Sequence, residues 1–68
     1  MHNRLAKKLA AARRRAGLSL AAAGERAGIS GPYWSQVEHG RKRPSLERLV
    51  TMADAVGLRL RVELVEDL

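Results

Sequence analysis

The 68-residue chain contains no cysteine and no phenylalanine, and its only aromatic side chains are Tyr33 and Trp34. Without thiols there is neither a disulfide staple nor a thiolate metal site. Bulk is scarce as well: apolar residues make up 46% of the sequence, but eleven of them are alanine. A domain this short buries only about 60% of the surface its unfolded chain exposes. One small domain with a thin core is therefore expected, with helix packing or a second copy of the chain supplying what the core cannot. No apolar run approaches the roughly 20 residues that span a bilayer. The start, Met1-His2-Asn3-Arg4, leads into an Ala/Lys/Arg stretch without an apolar signal core. These absences predict a cytoplasmic protein with no membrane partner.

The parts of a catalytic centre are missing too. His2 and His39 have no cysteine to work with, and carboxylates fall within one helical turn of each other only in the terminal tail, as Glu63 and Asp67 do. No glycine-rich loop could cradle a phosphate. No enzymatic activity, metal or cofactor is expected.

What the chain has is positive charge. Thirteen Lys and Arg against seven Asp and Glu give a net charge of +6, which suggests a polyanionic partner. The charge is unevenly placed. Residues 1–43 hold ten basic and two acidic residues, whereas residues 44–68 hold three basic and five acidic. The partner-facing surface should lie in the first two-thirds.

Apolar spacing and end signals divide that part into short helices. Over residues 4–16, Leu5, Leu9, Ala12 and Ala16 share one face at helical period, with Arg4, Lys7, Lys8, Arg14 and Arg15 opposite and Gly17 as terminator. Ser19 caps a second helix over 20–27 that contains an interior Gly24 and stops at Gly28. Ser30 caps a third over 31–39, with Pro32 near its start, where a missing N–H costs nothing. The basic loop Arg41-Lys42-Arg43-Pro44 follows. Ser45 then caps a fourth helix over 46–56, in which Leu46, Leu49, Ala53 and Val56 share a face until Gly57.

The period then changes. Leu58, Leu60, Val62 and Leu64 alternate with Arg59, Arg61, Glu63 and Val65, a strand pattern over 58–65. A single strand leaves its backbone groups unpaired, so it is expected to pair with the same strand of a second subunit, with Leu58, Leu60, Arg61, Val62 and Leu64 at the dimer interface. The alternatives are a frayed end or a fifth helix. The fold expected is mainly α: a four-helix domain over 1–57 and a dimerisation strand and tail over 58–68.

Two short serine-capped helices joined by a tight glycine turn, with a basic loop after the second, form a helix-turn-helix arrangement, whose second helix enters the DNA major groove. The stretches Gly17-Leu18-Ser19, Ala27-Gly28-Ile29-Ser30, Tyr33-Trp34-Ser35-Gln36-Val37-Glu38-His39-Gly40, Arg43-Pro44-Ser45-Leu46 and Ala55-Val56-Gly57-Leu58 carry a closer likeness. Together they resemble the Cro/phage-repressor type of helix-turn-helix protein, the xenobiotic-response-element family, over residues 5–58. The resemblance implies a lambda-repressor-like fold and a nucleoid-associated regulator that binds a double-stranded DNA operator.

Helical period sets Gly31, Pro32, Ser35, Gln36 and His39 on the side of the third helix away from Trp34 and Val37. Gln36 is the best base reader, since its amide can both donate to and accept from adenine, and the resemblance points to the same position. The first two positions of this helix read bases in the resembled family. Here they are Gly31 and Pro32, which can offer only close approach or apolar contact. Readout by side chains should be sparse, with Ser35, Gln36 and DNA shape supplying specificity. Phosphate contacts are expected from Ser19, Ser30, Tyr33, His39, Arg41, Lys42 and Arg43. The cations on the back of the first helix are expected to stay solvated.

Three residues are expected to hold the fold. The resemblance implies an Arg13–Glu38 salt bridge between the first and third helices. Trp34 has the phase of Val37, and its indole should fill the space left by Ala23, Gly24 and Ala27. Two functions stand side by side. One is a homodimeric repressor of its own promoter. The other is an antitoxin that also captures a toxin protein, suggested by a likeness of the terminal strand to small HipB-like antitoxins and by exposed Leu20, Val65 and Leu68.

Overall fold

A computed structural model describes residues 3–66, so His2, Asp67 and Leu68 lie outside the described residues. The described residues form four helices and no strand: α1 (Asn3–Arg15), α2 (Leu20–Ala27), α3 (Gly31–Glu38) and α4 (Leu46–Ala55). Three of these starts are set by serine. The Oγ of Ser19, Ser30 and Ser45 accepts from the backbone N–H of Ala22, Tyr33 and Arg48 at 3.0, 3.1 and 3.1 Å, satisfying a donor that the first helical turn leaves open.

The helices stop by one device. After α2, the Gly28 N–H donates to Glu25 and the Ile29 N–H to Gly24, the paired bonds of a Schellman turn. Gly28 sits at φ 72°, where a side chain would be strained. The same pair of bonds recurs at Gly17-Leu18, Gly40-Arg41 and Gly57-Leu58. These stops fall one residue before the expected ends of α1, α3 and α4.

Trp34 is fully buried and sits in one core with Leu9, Ala12, Ala23, Val37, Leu49, Met52 and Val56. Two helical faces differ from the sequence pattern. In α1, Ala6 and Ala10 are buried while Ala16 is exposed, because Ala16 follows the last helical residue, where the chain turns away. In α4, Met52 is buried and Leu46 is 54% exposed. The buried arc is centred on Leu49, Met52 and Val56, leaving Leu46 at its edge in the first turn.

Beyond Gly57 the chain is extended without regular secondary structure. Leu58 and Leu60 are half-buried against the core while Arg59 is exposed, and residues 61–66 are all exposed. The expected strand is thus not present in the single chain. Its in-and-out alternation survives at 58–60, but a strand exists only by hydrogen bonding to another, and no second strand lies beside it. No helix among the described residues is long and apolar enough to cross a membrane.

Candidate nucleic-acid interface

The α2–turn–α3 unit is compressed around two glycines. A Cβ built on Gly24 would lie 2.6 Å from the Ile29 carbonyl oxygen and 3.0 Å from the Gly31 nitrogen. The turn backbone therefore lies directly on α2. A Cβ on Gly31 would lie 3.2 Å from both the Cα and the nitrogen of Ala21. The start of α3 is thus pressed against the start of α2, and two capped helix N-termini come side by side. Such paired N-termini carry open N–H groups and partial positive charge, which favours anions.

Both glycines correct the sequence expectation. Helical period sets Gly31 on the groove-facing side of α3, but the direction in which it could bear a side chain points into α2. The space in front of Gly24 is taken by the turn backbone and not by the indole. Trp34 instead shares the core with Ala23.

On the outer side of α3, Pro32, Gln36 and His39 are exposed, and Ser35 is half-buried. His39 Nδ1 lies 2.7 Å from the Ser35 carbonyl oxygen. Since a carbonyl only accepts, Nδ1 carries the proton. That bond holds the ring on the end of α3. Ser35 Oγ is 3.5 Å from the same nitrogen, a long contact that leaves the hydroxyl available to another partner. Ser19 and Ser30 use Oγ as an acceptor in capping, so their O–H groups can still donate. Arg41, Lys42 and Arg43 are exposed in the loop, and the Arg41 N–H donates to the Gln36 carbonyl at 2.8 Å. The loop therefore begins rigidly on α3. Pro32, Gln36 and His39 are exposed on the α3 side from which this loop leaves, while Arg61, Val62 and Leu64, expected at a dimer interface, are exposed on the chain end beyond α4.

Sequence reasoning missed Arg48. It is exposed in the first turn of α4, with its guanidinium carbon 5.2 Å from the centroid of the half-buried Tyr33 ring, within range of a cation–π contact. No local spacing announces this pair, because it joins α3 to α4. On α1, Lys7 and Arg14 line an open groove of about 430 Å³ together with Glu38 and His39. Two cations assigned to solvent thus approach the end of α3.

Behind the surface, Arg13 Nε donates to Glu38 Oε2 at 2.7 Å, and Arg13 Nη2 to Oε1 at 3.2 Å. Arg13 Nη1 also donates to the Leu18 carbonyl at 2.9 Å. The Trp34 indole N–H donates to Glu38 Oε2 at 2.7 Å, a contact missed from the sequence although Trp34 and Glu38 stand four apart on one helix, the spacing of facing neighbours. Burial alone would push the Glu38 carboxyl up. The hydrogen bonds from Arg13 and Trp34, with the charges of Arg13 and Arg14, outweigh it and hold the carboxyl below its usual range. The bond to Glu38 in turn raises Arg13 against the opposing effect of burial.

The surface offers amides, hydroxyls and cations on a rigid frame, which suits recognition of a polyanion. Among the described residues no three His, Cys, Asp or Glu side chains gather to hold a metal. No curated protein matches the chain. A family model described as a helix-turn-helix domain matches residues 4–68, and the chain belongs to that family.

Proposed function

We propose that the protein is a sequence-specific regulator of transcription of the Cro/phage-repressor type, a homodimeric repressor that binds a palindromic operator in its own promoter. Residues 1–57 are the DNA-binding domain and residues 58–68 the dimerisation segment. The observation that carries the reading is the exposed Gln36 amide on α3, between the paired helix N-termini at Ser19 and Ser30 and the cationic loop Arg41–Arg43. Gln36 reads a base edge, Ser35 assists, and Pro32 packs on a thymine methyl. Gly31 contributes by letting the start of α3 pack closely on α2, which sets where Gln36 and Pro32 stand. Ser19, Ser30, Tyr33, His39, Arg41, Lys42 and Arg43 hold phosphates, and Arg48 joins them.

Footprinting on the region upstream of its own gene tests this reading. A protected palindrome is expected, with Gln36→Ala losing discrimination while keeping non-specific affinity. With about six phosphates neutralised per dimer by Arg41, Lys42 and Arg43, log affinity should fall with log salt at a slope near −5, steepened by about one for each further phosphate that Arg48 holds. Absence of any protected site together with salt-insensitive binding would overturn the proposal. Of the three surface residues that suggest the antitoxin alternative, Val65 is exposed, Leu20 is half-buried against the core, and Leu68 lies outside the described residues.

A further inference from the structure

The extended end carries two features that the four-helix body leaves unused. Leu58 and Leu60 pack on the body, while Arg59 is exposed at the rim of the groove beside them, so even-numbered positions face inward. By the two-residue period of an extended chain, Val62 and Leu64 continue that side. Yet they are 57% and 97% exposed. Beside Leu60 lies a groove of about 220 Å³ between Leu5 and Leu9 of α1 and Leu49 and Ala53 of α4. The second feature is charge order: Arg59 and Arg61 come first, then Glu63 and Glu66.

We propose that residues 58–66 pair antiparallel with a second copy of this chain in one register, Val62 opposite Val62 on the two-fold axis. The inference rests on the homodimer reading above and adds how the two copies meet. For both strands to turn their apolar side to the same face, even positions must oppose even positions, so the axis passes through a residue. An axis at residue 61 opposes two arginines and one at 63 two glutamates, while one at 60 sets Arg59 against Arg61. Like charges directly opposite are unfavourable. An axis at 64 brings together no opposite charges among residues 58–66, with Glu63 facing Val65. Only the axis at 62 sets Arg61 opposite Glu63 twice and Leu60 opposite Leu64 twice. Opposed side chains lie about 5 Å apart. The exposed Leu64 of each copy therefore comes to rest beside Leu60 of the other, at the mouth of the apolar groove.

Sedimentation equilibrium of the full chain tests the register, with circular dichroism as the control for folding. The wild type is expected to dimerise, and Leu64→Asp to be a folded monomer. Arg61→Glu and Glu63→Arg should each weaken the dimer about tenfold, and the double variant Arg61→Glu/Glu63→Arg should recover wild-type association. Single variants without effect, or a double variant that stays weak, in a chain that dimerises would overturn the register while leaving the homodimer standing. A wild type that stays monomeric at its highest soluble concentration would overturn both.

Discussion

On the inner side of α3, Trp34 and Val37 are fully buried and Glu38 accepts three hydrogen bonds. On the outer side, Pro32, Gln36 and His39 stand in solvent, and the first position of the helix is a glycine turned toward α2. One short helix thus divides its work by face. Its inner side fixes the angle of the helix against α1 and the core, and its outer side can then be sparse, because a rigid frame lets a single amide and a few anchored donors act at defined positions. If the division is real, inner substitutions should change stability and outer ones binding, with little crossover.

The largest effect is expected from Trp34→Ala. It empties the centre of the core and removes the indole donor from Glu38, at about 3–5 kcal/mol. Small domains have only about 5–15 kcal/mol of stability, with the shortest chains near the low end. Thermal melting followed by circular dichroism should show a chain largely unfolded at room temperature. A folded Trp34→Ala chain that had lost only DNA affinity would put the indole on the wrong face.

Glu38→Gln comes next. It keeps the shape but leaves the Arg13 guanidinium, 12% exposed, without its counter-charge. Removing one partner of a fully buried pair costs about 3–5 kcal/mol, and the remaining exposure should bring this to about 3 or below. The pH dependence carries the sign. Because the folded carboxyl titrates below its usual range, its contribution is present above the ordinary carboxylate pKa and is lost as pH falls through the lowered folded value. Denaturant titrations should therefore show the gap between wild type and Glu38→Gln closing on acidification. A gap that widens would reverse the assignment.

Gly24→Ala reverses a common rule. In an ordinary helix interior the change stabilises by about 1 kcal/mol. Here the new methyl would meet the Ile29 carbonyl at 2.6 Å, so the turn must move, at about 1–3 kcal/mol, which cancels or outweighs that gain. Melting temperatures decide the sign.

How much of this was legible follows from where each signal lives. Serine caps, terminating glycines and the phase of Trp34 with Val37 are local, so the four helices and the inner side of α3 could be read along the chain. The directions of Gly24 and Gly31 could not. Periodicity places a residue on a face, but which backbone lies against that face depends on how tightly the turn folds back. Arg48 was invisible for a related reason, since its position over Tyr33 joins two helices across a loop. The strand pattern at 58–65 shows the opposite limit: its alternation is plain in the sequence, and the described residues hold no strand for it to pair with.

On the outer side, Gln36→Ala should leave stability within about 0.5 kcal/mol of wild type and remove about 1–3 kcal/mol of discrimination at one base pair of each half-site. Competition binding with operator variants would detect this. Equal loss against all sequences would make Gln36 an anchor and not a reader.

The smallest effect belongs to Arg48→Ala. The Tyr33 ring, in the first turn of α3, holds the guanidinium near the α3 N-terminus, where it can meet a phosphate. Its loss should weaken binding to all sequences alike and reduce the salt slope by about one per phosphate given up, with operator preference unchanged. Tyr33→Leu should have part of the same effect, because a guanidinium without the ring beneath it must be ordered on binding instead of beforehand. If Tyr33→Leu leaves the salt slope and affinity untouched while Arg48→Ala lowers both, the stack has no part in anchoring, and the outer surface relies on α3 and its loop for rigidity.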